Sequence, residues 1–135
     1  MKKLLFLFAI VAFSISVQAQ SAPQLLTTTS YGNSLDTVTN AGTKSTYSKT
    51  VKNWFYGATV NAHVIVTKIS GTVGGSISLQ GSMDGTNWTN CETATTATDA
   101  TNNYFISTTK RYYYYRVSWT GTGTMSASFK TYLLF

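Results

Sequence analysis

The chain's whole supply of carboxylates, imidazole and free thiol is small: Asp36, Asp84, Glu92, Asp99, His63 and Cys91. Glycoside hydrolysis needs two carboxylates aimed at one bond. Asp84 falls in an Asp-Gly turn and Asp99 in a Thr-rich run, where acids are ordinarily solvated. A nucleophile-base pair needs a positioned His. His63 is the only one, it falls on the polar side of an alternating strand, and no G-x-S-x-G elbow accompanies it. Zinc sites gather several His and Cys, and here there is one of each. Asp84 and Asn87 could both offer oxygens to Ca²⁺, but calcium takes six or more, so this pair reads first as turn chemistry. No Gly-rich loop precedes a helix, since no helical periodicity follows the first 19 residues. These residue types lead us to expect no enzyme, no cofactor and no bound metal.

Two aromatic features stand out instead. Ser82-Met83-Asp84-Gly85-Thr86-Asn87-Trp88 reads as a strand end, a tight Asp-Gly turn and a Trp returning into the core. In Lys110-Arg111-Tyr112-Tyr113-Tyr114-Tyr115-Arg116, strand alternation sends Tyr113 and Tyr115 inward. It leaves Tyr112, Tyr114 and Arg116 together on the outer face. Neighbouring Tyr and Arg suit a stacked sugar or a protein interface; a covering loop or arm is the competing reading. Trp54 and Tyr56, close to Lys44, Lys49 and Lys52, form a weaker aromatic-basic patch.

The elements that must position these residues are strands. Period-2 alternation runs through Val60, Ala62, Val64 and Val66; through Ile77, Leu79, Gly81 and Met83; through Tyr113, Tyr115, Val117 and Trp119; and through Met125, Ala127, Phe129, Thr131 and Leu133. Weaker strands are expected over Ser34 to Asn40, Ser45 to Val51, Trp88 to Glu92 and Asn103 to Ser107. Ser70 to Gly75 links two long strands, Thr120 to Gly123 reads as a Gly-rich hairpin, and Thr93 to Asn102 reads as a loop. About seven or eight short strands, each with one apolar face, predict an all-β, antiparallel β-sandwich of jelly-roll type.

The N-terminus sets the expected compartment. Lys2 and Lys3 precede an apolar run from Leu4 to Ile15, and Val17-Gln18-Ala19 ends in a small-residue cleavage pattern. This is the form of a secretory signal peptide over residues 1–19. Residues 20–33, with Pro23, then make an extended N-terminal arm, and residues 34–135 make one domain. The formal charge is +6, and loss of Lys2 and Lys3 brings it to +4. That mild basicity and export argue against nucleic acid as a partner. Charged residues are only 10% of the chain while Thr occurs 24 times. Surface polarity must therefore rest on hydroxyls and amides rather than on charge. A lone Cys91 makes no intrachain disulfide.

The S-x-D-G-x-x-W segment, Ser82 to Trp88, followed by the Arg-Tyr strand from Arg111 to Val117, resembles the second half of discoidin-like, galactose-binding jelly rolls. That likeness implies an adhesive, carbohydrate-binding module. The longer run from Val64 to Thr124 looks like small β-sandwich proteins found among phage structural genes, which implies a virion-surface role. The first expectation is a non-catalytic structural subunit of a virion surface or extracellular assembly, with itself or other subunits as partners. The alternative is a discoidin-like carbohydrate-binding module. A small outer-membrane barrel, suggested by Phe129, Thr131, Leu133 and Phe135, conflicts with the polarity of the N-terminal strands. No other stretch is long and apolar enough to span a membrane after cleavage.

Overall fold

The computed structural model describes residues 24–25, 36–47 and 59–134. The expected signal peptide, most of the expected arm, Trp54 and Tyr56 lie outside the described residues. The described chain is all β, with ten strands: β1 (Gln24–Leu25), β2 (Asp36–Thr39), β3 (Thr43–Tyr47), β4 (Val60–Gly71), β5 (Gly74–Ser82), β6 (Thr89–Asn90), β7 (Thr95–Thr98), β8 (Asn103–Thr108), β9 (Tyr114–Gly121) and β10 (Met125–Leu134). They form two antiparallel sheets.

The first sheet runs β2-β10-β4-β8, with β1 continuing the β2 side of β10. The second runs β3-β9-β5-β7, with β6 continuing the β7 side of β5. Without the two-residue β1 and β6, the eight remaining strands follow jelly-roll order, two interleaved Greek keys. The expected β-sandwich is thus the observed fold. Long-range pairings such as β2 with β10 and β3 with β9 close it from its two chain ends.

The core is what the alternation predicts. Val60, Ala62, Val64 and Val66 of β4, Ile77 and Leu79 of β5, Tyr115, Val117 and Trp119 of β9, and the odd-numbered residues from Met125 to Leu133 of β10 are buried. Trp119 meets Phe129 edge-on across the sandwich, centroids 5.7 Å apart at 84°, and its indole N–H reaches the Gly74 carbonyl. Trp and Phe each bury a large area, and an edge-to-face pair adds about 0.5–1.5 kcal/mol beyond it.

Four expectations need correction. Thr93 to Asn102 is not wholly loop, because Thr95–Thr98 pair with β5 and turn Ala97 into the core. β-Branched Thr fits a pleated edge even without an apolar neighbour on each side. The Thr120 to Gly123 stretch is no hairpin, since β9 and β10 lie in different sheets. Met83 and Tyr113 face solvent rather than the core. Each lies one residue outside its strand, where the period-2 rule no longer applies. The expected strand over Trp88 to Glu92 shrinks to Thr89–Asn90.

Candidate functional site

The turn from Ser82 to Trp88 is built around one carboxylate. Asp84 Oδ1 accepts the backbone N–H groups of Thr86 and Asn87, each at 2.8 Å, and the Ser82 hydroxyl at 2.9 Å. Its Oδ2 accepts the Asn87 amide at 2.6 Å. The Asn87 backbone N–H, then that of Thr86, then the side-chain donors hold the Asp84 carboxyl well below the usual carboxylate range. Gly85, at φ 75°, supplies the left-handed residue that closes the turn. Asn87 thus bonds to Asp84, and both Asp84 oxygens are engaged within the turn. An open cleft of about 390 Å³ runs from this turn to Gly81, Thr89 and Tyr112.

The tyrosine run divides differently from strict alternation, because β9 begins only at Tyr114. Tyr114 and Arg116 do share the outer face of the second sheet, opposite Ser82 and Gln80. Arg116 Nε donates to Gln80 Oε1 at 2.6 Å, and its guanidinium lies 4.5 Å from the Trp88 ring centre. Trp88, expected in the core, is instead half-buried against this guanidinium. Tyr112 does not join that face. It packs against the core cluster, in the space a Cβ at Gly81 would fill, with its Cδ2 only 2.0 Å from that position. The Gly81 hydrogen is what admits the ring.

Tyr115 anchors this corner. Its hydroxyl donates to the Lys110 carbonyl at 2.8 Å and accepts the Tyr112 N–H at 3.0 Å. The Tyr112 and Tyr115 rings meet edge-on, 6.1 Å apart at 83°. Burial raises the Tyr115 phenol above its ordinary value, against the lowering effect of the Tyr112 N–H. A Tyr at a strand start bonding back to backbone fixes a sandwich corner in the same way as the tyrosine corner of immunoglobulin domains. Next to it, burial pushes the Cys91 thiol up to about 11, with Lys110 opposing and Glu92 adding to the rise. Lys110 also donates to the Cys91 carbonyl.

The other outer face carries a feature that alternation alone did not reveal. Phe105 of β8, His63 of β4 and Tyr132 of β10 occupy one register across three strands. The His63 and Phe105 rings stack 4.3 Å apart at 9°, while His63 and Tyr132 are 6.4 Å apart at 30°. The ladder's phase explains the difference. Val66 N–H bonds to the Asn102 carbonyl, so hydrogen-bonded β4–β8 pairs fall on even-numbered residues. His63 and Phe105 are therefore a non-hydrogen-bonded pair, the class with the closer side chains. His63 Nε2 lies 3.0 Å from Asn103 Oδ1, and the Lys130 ammonium sits 5.3 Å from the Tyr132 ring centre. At the end of this row Phe105 is 73% exposed.

Two further acids, Asp99 and Glu92, are held locally. Asp99 accepts from the Lys68 ammonium at 2.7 Å and the Val73 N–H at 2.8 Å, and the Lys68 bond leads in holding it below its ordinary value. Glu92 accepts the Thr108 hydroxyl at 2.8 Å. His63 contacts Asn103, Phe105 and Tyr132 rather than any of these acids. Among the described residues no three His, Cys, Asp or Glu side chains converge on one point. The described geometry offers ring stacking, at His63 and Phe105, and hydrogen bonding, at Arg116 and Gln80. No family model, no curated protein and no solved structure matches the chain.

Proposed function

We propose that this chain is a non-catalytic structural subunit, exported by its N-terminal signal, of an extracellular or virion-surface assembly. The observation that carries the reading is Phe105: a Phe 73% exposed, stacked on His63, on an edge strand without a charged residue. A large apolar side chain left in water at a sheet edge is the mark of a surface that another chain covers. The low charge and the hydroxyl-rich strands agree with packing against copies of itself. Sedimentation velocity over a concentration series tests it. The purified chain is expected to sediment as a multimer whose population grows with concentration; a monomer throughout refutes the reading.

The cleft beside Tyr112 favours a second reading, glycan binding. Trp88, Arg116, Gln80 and Tyr114 border it or lie next to it, offering aromatic area and amide donors. On this reading Tyr114→Ala abolishes signals on a glycan array, and an array without hits for the parent dismisses it.

A further inference from the structure

The sandwich has four lateral edges, and among the described residues three are short or interrupted. β1 and β2 span two and four residues, β6 and β7 two and four, and β3 five with Lys44 on it. β8 is the longest edge among the described residues, at six residues, Asn-Tyr-Phe-Ile-Ser-Thr. It carries no Lys, Asp, Glu or Pro and no register break against β4, so it lacks the devices that usually blunt an edge. Its backbone phase is set by the ladder to β4. Tyr104, Ile106 and Thr108 turn their N–H and C=O groups toward β4. By the antiparallel alternation, Asn103, Phe105 and Ser107 turn theirs away from it, toward the edge. Among the described residues no strand pairs with that side.

The geometry points to β8 of a second copy as the occupant, paired antiparallel about a twofold axis at Phe105. The inference rests on the assembly reading and names its surface. Such pairing places Phe105 opposite its own copy, Tyr104 opposite Ile106, and Asn103 opposite Ser107. The aromatic row then runs unbroken as Tyr132, His63, Phe105 and the same three residues in reverse. On the inner side, Tyr104 and Ile106 join two cores instead of ending each one. The flanks differ in charge: Asp99, ion-paired to Lys68, lies before β8, and Lys110, 4.0 Å from Glu92, and Arg111 lie after it, so an antiparallel twofold brings the more acidic flank of one strand to the more basic flank of the other. A second copy satisfies the edge donors and acceptors and covers the exposed ring at once. A six-residue edge is small beside the roughly 1,600 Å² of a standard interface, so association at the weak end of the specific range is expected.

Three variants test the pairing. Phe105→Lys puts two ammonium groups at the axis and is expected to weaken association at least about a hundred-fold, since a central aromatic is lost twice. Ser107→Pro keeps Phe105 but deletes an edge-facing N–H at a position an edge strand tolerates, and is also expected to dissociate the multimer. Phe105→Cys sets two cysteines across the axis with Cα atoms about 5.5 Å apart, within disulfide reach. It is expected to give a covalent dimer on non-reducing electrophoresis, while the parent, whose only thiol is the buried Cys91, and Ile65→Cys do not. Circular dichroism confirms that each variant is folded. If the parent self-associates but Phe105→Lys and Ser107→Pro do so equally well and Phe105→Cys stays uncrosslinked, the edge pairing is wrong and the assembly reading survives. If Phe105→Lys dissociates the multimer and Ser107→Pro does not, the contact uses the face alone, and strand pairing is likewise overturned. A parent that stays monomeric removes both.

Discussion

Replacing Gly81 by Ala tests how the tyrosine corner is built. An added methyl would sit 2.0, 2.3 and 2.5 Å from three carbons of the Tyr112 ring. Real Cβ atoms do not approach that closely, so the ring must leave its place. Overpacking of this kind costs about 1–3 kcal/mol. Loss of the edge-on contact with Tyr115 adds about 0.5–1.5 kcal/mol. Against this, Ala in a strand is favoured over Gly by about 0.5–1 kcal/mol. The net expectation is a loss of about 2 kcal/mol, which lowers the melting temperature of a domain this size by about 10 °C. Tyr112→Ala, which removes a half-buried ring, is expected to cost a similar amount. The decisive quantity is the double variant. With the ring gone the methyl introduced at position 81 has room, so Gly81→Ala/Tyr112→Ala should be no less stable than Tyr112→Ala alone. The coupling between the two sites is then about 2 kcal/mol, read from urea denaturation of all four proteins. Strictly additive losses, or a Gly81→Ala variant as stable as the parent, would show that Tyr112 does not occupy this place.

Two pH-dependent outcomes follow from the same corner and the neighbouring turn. Burial lifts the Cys91 thiol from 9.0 to about 11, so the folded state holds a proton that the unfolded chain releases. Its contribution is complete below pH 9 and is lost between 9 and 11, at about 1.4 kcal/mol per pH unit. Cys91→Ala should flatten that part of the alkaline unfolding curve, leaving the slope due to Tyr115, whose phenol is also raised; an unchanged curve refutes the assignment. Asp84 has the opposite sign. Its lowered carboxyl contributes stability above the ordinary value of 3.8, lost as pH falls through the lower folded value. Asp84→Asn should therefore melt lower at neutral pH yet show a shallower decline below pH 4, and parallel acid curves for parent and variant would contradict the turn's geometry.

The interior was legible in the sequence because strand periodicity is a local property. Val60 to Val66, Ile77 to Gly81 and Met125 to Leu133 alternate along one stretch of chain, and burial follows that alternation. It fails where the strand does: Tyr112 and Tyr113 precede β9, so the backbone is free to roll Tyr112 onto Gly81 and leave Tyr113 outside. No rule of spacing announces that a glycine in β5 holds a ring from the approach to β9, because the pairing of those strands is a tertiary fact. The same reason hid the aromatic row. His63 read alone is a polar residue on an outer face, Phe105 an apolar residue in a weak strand, and Tyr132 one more aromatic near the end. They become one surface only when β4 is placed between β8 and β10 in jelly-roll order with these residues in register. The single usable signal was negative. In Asn103 to Thr108 the apolar positions do not all fall on one face: Tyr104 and Ile106 point inward and Phe105 points out. An apolar residue on the wrong side of an otherwise regular strand breaks the pattern that solubility imposes, and it is this break, at a sheet edge, on which the proposed pairing rests.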